Sequence, residues 1–272
     1  MAKKALCIGI NDYPGTRSDL TGCVNDANDW ATILAARRFP VTMLLDAEAT
    51  KANMVAAIRE QIGGSQSGDS IVITYSGHGT FVPDTSGDEP DGRDEGLCPY
   101  DIGEGHVLLD DEIHALFAER GKDVRVVLIS DSCHSGSVIR WAPPVADSHV
   151  PRPRFLPPLV WLPQDQLPRS GCGEVMSRMA RGMKPPTWLG SLSLAGGDLL
   201  MSGCQDHEYS YDAHFGGRPN GAFTYYALKT LATAATYADW YKAIRDYLPG
   251  ASYPQTPQIF GNKRAKQFKV LD

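Results

Sequence analysis

The chain has 272 residues, 42% of them hydrophobic, which is enough apolar material for one large domain or two small ones. A formal net charge of −6 disfavours a nucleic-acid binder, which carries a basic patch on a basic domain. No run approaches the ~20 apolar residues of a membrane-spanning helix, so a soluble protein is expected. Lys3 and Lys4 lead into an apolar run over 5–10, which Asn11, Asp12 and Pro14 end too early for a signal peptide. It predicts a buried first strand. A helical pattern follows over 25–38, a strand over 41–45, and a helix over 50–62 with Thr50 at its N-cap. Strands are predicted over 71–75 and 124–129, with a helix over 110–120 between them. The aliphatic runs without polar alternation predict strands buried on both faces, and their alternation with helices predicts a mostly parallel sheet.

Ten of the nineteen prolines fall between Pro143 and Pro186. This stretch predicts a long exposed connection, of a length that is usually functional or disordered. Beyond it a strand is predicted over 199–204, helices over 221–231 and 237–248, and a terminal strand over 267–271. The corresponding division is a larger portion over 1–140, a proline-rich connection over 141–195, and a smaller portion over 196–272 that completes the same domain. Six cysteines (Cys7, Cys23, Cys98, Cys133, Cys172, Cys204) lack any C-x-x-C pair, which argues against a zinc ribbon or a disulfide framework and fits a reducing cytoplasm.

Ligands of open parallel sheets bind outside the carboxyl ends of the strands. One such end runs into Ser76-Gly77-His78-Gly79 and another into Asp131-Ser132-Cys133-His134-Ser135-Gly136. A cysteine nucleophile needs a base or a lowered pKa, and His78 offers the base; adjacent His134 competes for that role, but side chains next to each other at a strand end diverge. Glycines flanking His78 let the backbone approach a substrate, so the amides of Gly79 and Cys133 are candidates for stabilising an oxyanion. Taken alone, a cysteine is more often a packed small hydrophobe and a histidine a structural residue.

Tyr75-Ser76-Gly77-His78-Gly79 and Asp131-Ser132-Cys133-His134-Ser135-Gly136 resemble the two motifs of metacaspases. Their separation of 55 residues is close to the roughly 50 of caspases. The surroundings of Cys133 differ from the Gln-Ala-Cys pentapeptide of the aspartate-directed branch. The resemblance covers residues 5–137 and resumes over about 199–271. It implies a caspase-like three-layer α/β/α sandwich with a mostly parallel central sheet, and a cysteine endopeptidase that cuts after Arg or Lys using Cys133 and His78. It also implies a pocket for the basic side chain formed by Cys23, Asp26, Ser76 and Asp131, where a carboxylate pair can hold a guanidinium by charge-assisted hydrogen bonds. Asp206 and Glu208 are further acidic residues without an assigned place. In the bland alternative, Asp26 is a first-turn helix charge and Asp131 a turn residue.

Asp94, Asp110 and Asp111 match positions of the calcium site of many metacaspases, yet Arg140 stands where the family has another aspartate, a cation that opposes Ca2+. The chemistry itself calls for no cofactor. The basic residues of the proline-rich connection make it a candidate for self-processing within 140–195, with 178–184 as the expected region. The partners expected are peptides or proteins with Arg or Lys at the cleaved bond, without nucleic acid or membrane, and the chain is expected to be a monomer. A catalytically silent caspase-like scaffold or regulatory module is the rival reading, and so is a related peptidase preferring Asn or Asp.

Overall fold

The computed structural model describes residues 1–83, 93–133, 150–163, 198–205 and 208–272. Its centre is a six-stranded sheet. Strands β1 (Lys3–Gly9), β2 (Val41–Leu45), β3 (Ser70–Ser76), β7 (Arg125–Asp131) and β9 (Leu199–Ser202) are parallel, and β12 (Gln258–Phe260) adds an antiparallel edge, in the spatial order β12-β9-β7-β3-β1-β2. The sheet therefore draws strands from both sides of the proline-rich stretch.

Two apolar layers form because successive strand residues face opposite ways. Leu6, Ile8, Ile71, Ile73, Val126 and Leu128 join one cluster with Met54 and Ile58 of α2 (Lys51–Ile62) and Ile113 and Leu116 of α3 (Asp110–Ala118). Ala5, Cys7, Val72, Val127 and Ile129 join the other, with Trp30 and Leu34 of α1 (Cys23–Ala36), Phe223 of α5 (Ala222–Thr230) and Trp240 and Ile244 of α6 (Tyr237–Arg245). This is the three-layer α/β/α arrangement expected from the sequence. Thr50 caps α2 as predicted, its side chain accepting from the Asn53 N–H.

Two smaller sheets flank the central one. β4 (Gly79–Pro83), β5 (Arg93–Leu97) and β6 (Leu108–Leu109) form one, and β8 (Arg152–Pro153), β10 (Tyr211–Phe215) and β11 (Arg218–Gly221) form the other, with β10 in the middle. These short strands were not predicted, since they lack long apolar runs. The predicted terminal strand over 267–271 is also replaced: α7 (Lys263–Lys266) precedes a single antiparallel bridge between Thr236 and Lys269, and β12 takes the sheet edge instead. Part of the proline-rich stretch departs from an exposed connection as well. Arg154, Phe155 and Leu156 are at most 1% exposed, and the short helix α4 (Pro158–Trp161) buries Trp161. No helix among the described residues is long and apolar enough to cross a membrane.

Candidate active site

Sheet register aligns the two chemical motifs. Ser76, the last residue of β3, pairs with Asp131, the last of β7. His78 and Cys133 therefore each lie two residues beyond paired positions on neighbouring parallel strands. α1 begins at the same rim: the Asn11 side chain accepts from the Cys23 and Val24 amides at the helix start, and a Cβ on Gly9 would strike the Cys23 carbonyl. This close approach brings Cys23 and Asp26, in the first turn of α1, to the ends of β1 and β3.

His78 is buried, with its ring 4.7 Å from that of Tyr13, whose hydroxyl accepts the His78 amide at 2.7 Å. Its Nε2 lies 2.6 Å from the Ser18 carbonyl oxygen. A carbonyl only accepts, so Nε2 carries the hydrogen and, in the neutral ring, Nδ1 carries the lone pair. Nδ1 is buried without a hydrogen-bond partner. Burial pulls the imidazole down to about 4, against the hydrogen bond to Ser18. Cys133 is fully buried, and its Sγ accepts the Ser210 N–H at 2.6 Å. The neighbouring Cys204 thiol is pushed well above its ordinary value by its hydrogen bond with Cys133 and by burial, so it stays protonated.

A segment of the chain's own β8 region fills the cleft between these groups. The Arg154 carbonyl accepts from both the Gly79 amide at 3.0 Å and the Cys133 amide at 3.1 Å. Its guanidinium enters a pocket of acidic residues: Nη2 donates to Asp26 at 2.8 Å and Asp212 at 3.0 Å, and Nη1 lies 3.3 Å from Asp131 and donates to Ser76 at 3.4 Å. Every one of these side chains is nearly or wholly buried.

The carboxylates are held from behind. Asp26 also accepts from Ser76, Asn220 and the Gly221 amide; Asp131 accepts from the Thr224 amide and hydroxyl; Asp212 accepts from Thr21 and Gly22. Burial raises Asp26 to about 6, with the Arg154 charge working against that rise. Gly221 forms one wall, where a Cβ would strike both the Asp131 carboxylate and the Arg154 guanidinium.

The structure thus gathers Asp26, Ser76 and Asp131 around one guanidinium and keeps Cys23 buried beside them. It brings the Gly79 and Cys133 amides to one oxygen. Sequence reasoning missed Ser18, Asp212, Ser210 and Gly221, which come from short strands and loops with no distinctive motif, and counted Arg154 only among the basic residues of the stretch expected to be self-processed. Glu208 serves elsewhere, accepting from the Thr256 amide and hydroxyl. His134, Asp206, Arg140 and the 178–184 region lie outside the described residues.

Asp94 of β5 pairs with Val82 of β4, while buried Asp110 and exposed Asp111 occupy the first turn of α3. The described residues contain no group of three or more His, Cys, Asp or Glu able to hold a metal ion, and residues 84–92 of the neighbouring acidic loop lie outside the described residues.

Comparison with known proteins agrees with this geometry. Residues 3–142 match the family model described as "Metacaspase, peptidase C14 domain". Metacaspase-1 of Cryptococcus neoformans is 33% identical over 94% of the chain, which spans 62% of that protein's length. Metacaspase-1 of Mycosarcoma maydis is 30% identical over 94% of the chain, which spans 69% of its length. The crystal structure of protein GSU0716 from Geobacter sulfurreducens, 33% identical, superposes with a TM-score of 0.73 over 100% of this chain and 98% of that one. The fold is the caspase-like sandwich that the motifs implied, and the chain belongs to the metacaspase family of peptidase C14.

Proposed function

We propose that this chain is a cysteine endopeptidase that cleaves after arginine or lysine, with Cys133 as nucleophile and His78 as its acid–base partner. The observation that carries the reading is Arg154, whose carbonyl oxygen lies between two amides beside Cys133 while its guanidinium fills a three-carboxylate pocket. Two N–H donors on one oxygen are the arrangement that stabilises a tetrahedral oxyanion.

Cys133 Sγ attacks the carbonyl carbon of the basic residue as its thiol proton passes to His78. The Gly79 and Cys133 amides take the negative oxygen. His78, held through Nε2 by Ser18, takes the Cys133 thiol proton on the Nδ1 lone pair and delivers it to the leaving amine. Water then cleaves the thioester, with the same nitrogen as base. The Ser18 carbonyl supplies the orienting partner that the dyad lacked in the sequence, and no step calls for a cofactor.

The pocket favours arginine over lysine. Its acceptors meet two separate nitrogens of one planar group, which a single ammonium cannot match. Substrates are therefore peptides or proteins with a basic residue at the cleaved bond, and the basic 141–195 stretch is a candidate for self-processing. A panel of fluorogenic peptides with Arg, Lys, Asp or Asn at the cleaved bond tests the reading. Hydrolysis in the order Arg, then Lys, with no Asp or Asn cleavage, is expected; turnover confined to Asp or Asn would remove the pocket assignment, and a folded, unblocked enzyme without turnover would favour a silent scaffold.

A further inference from the structure

Resting on the peptidase reading above, we infer that residues 152–156 are the enzyme's own tethered substrate, plugging the cleft, and that Arg154–Phe155 is the bond it cuts in itself. A merely structural buried arginine needs partners for its guanidinium and its backbone, but nothing requires its carbonyl to sit on two amides, one of them that of Cys133. Arg154 is held through its backbone as well, on both sides of the bond. Upstream, Arg152 and Pro153 pair antiparallel with Asp212 and Tyr211 of β10, and the Arg154 N–H donates to the Ser210 carbonyl at 2.9 Å. At the bond, the Arg154 carbonyl accepts from Gly79 and Cys133. Downstream, the Leu156 N–H donates to the Gly79 carbonyl at 2.9 Å, and the Leu156 carbonyl accepts the Thr80 hydroxyl at 2.7 Å. An extended chain added alongside existing strands is how a peptide is bound by backbone hydrogen bonding, with side-chain pockets supplying choice.

The residue after the bond has a pocket too. Phe155 is 1% exposed and packs with Cys133, Cys204 and Tyr209; its ring lies 6.0 Å from that of Phe81 and 6.2 Å from that of Tyr209. The cleft thus takes a basic side chain before the bond and an aromatic or large apolar one after it. While the segment stays, Cys133 and His78 are inaccessible, so an external peptide competes with a substrate already in place at high effective concentration.

The step balances without any oxidant or metal. The Cys133 thiol proton passes to His78 Nδ1, a bond forms from Cys133 Sγ to the Arg154 carbonyl carbon, the bond to the Phe155 nitrogen breaks, and that nitrogen leaves as an amine carrying the same proton. Water then adds to the thioester, giving the Arg154 carboxylate and regenerating the thiol.

The test follows the full chain, Cys133→Ala, Arg154→Lys and Arg154→Gln by intact-mass spectrometry and N-terminal sequencing at several protein concentrations. Hydrolysis of an Arg fluorogenic peptide is recorded in parallel. The full chain is expected to yield a fragment beginning at Phe155 at a rate independent of concentration, with peptide hydrolysis rising as that fragment appears. Arg154→Lys should cut at the same bond, and Cys133→Ala should stay whole. Arg154→Gln should escape this cut and hydrolyse the peptide without a lag. Because Arg154→Gln strips a buried pocket of its cation and can misfold, Arg154→Lys decides independently. Rapid peptide hydrolysis by a full chain that stays whole at 154–155, a cut only elsewhere, or a rate that scales with concentration would overturn the inference and leave the peptidase reading standing. Absence of Arg and Lys peptide hydrolysis from every folded variant, Arg154→Lys included, would overturn the peptidase reading itself.

Discussion

At the scale of single residues, the pocket is a charge-balance device. Asp26, Asp131 and Asp212 share a small buried volume, and only a cation within it makes that arrangement favourable. Asp212 carries the pocket's least legible contribution, because it sits on a short strand without a motif, joined to Thr21 and Gly22 from the other end of the chain. Asp212→Asn keeps its shape but removes a charged acceptor, worth roughly 1.5–3 kcal/mol, or about 10- to 100-fold in kcat/KM for Arg peptides. Gly221→Ala pushes a methyl group into the guanidinium's place, and a larger loss is expected. Steady-state kinetics on both variants checks this: unchanged kcat/KM for Arg peptides in either one would mean that the pocket does not hold the substrate's basic side chain.

At the scale of elements, parallel pairing converts distant sequence into local geometry. The residue-by-residue register from Ser70↔Arg125 to Ser76↔Asp131 fixes the loops that follow, so His78 and Cys133 leave the sheet at the same rim. Helix packing on the opposite face keeps that rim in place. Trp240 of α6 is fully buried, meets Trp30 of α1 edge-on at 5.9 Å, and donates its indole N–H to the Ala227 carbonyl of α5. Trp240→Ala removes packing between three helices and is expected to cost about 3–5 kcal/mol. Urea denaturation of the Cys133→Ala background with and without this change measures it; a loss below about 1 kcal/mol would show that the helical layer repacks freely.

At the scale of the whole molecule, the buried imidazole makes stability depend on pH. His78 titrates near 6.5 when unfolded and at about 4 when folded, so between those values the unfolded chain binds the extra proton. Stability from this group is complete above about 6.5 and is lost as pH falls toward 4. Asp26, raised to about 6, works the other way, because the folded state then holds the extra proton as pH drops. A single curve mixes the two, whereas comparing His78→Gln with its parent, both in the Cys133→Ala background, isolates the histidine. The parent should lose roughly 1 kcal/mol per pH unit more than the glutamine variant between pH 6 and 4.5. Parallel stability curves would mean that His78 is not held neutral by burial.

What the chain determined by itself was local or periodic: aliphatic runs too uniform for one exposed face, a threonine at a helix start, and two glycine-flanked motifs at the ends of buried strands. From these followed the mostly parallel sheet with its alternating helices and the placing of His78 and Cys133 just beyond strand ends, whereas the three-layer sandwich was what the family resemblance implied and the His78–Cys133 dyad belongs to the proposed function. Tertiary structure alone decided the rest, because Ser18, Asp212, Gly221 and Arg154 acquire meaning only through partners far away in sequence. Arg154 is the clearest case. Among prolines it looked like part of an exposed connection, yet three carboxylates and two backbone amides, all supplied by other segments, make the buried cleft the place where its charge and its carbonyl are best satisfied.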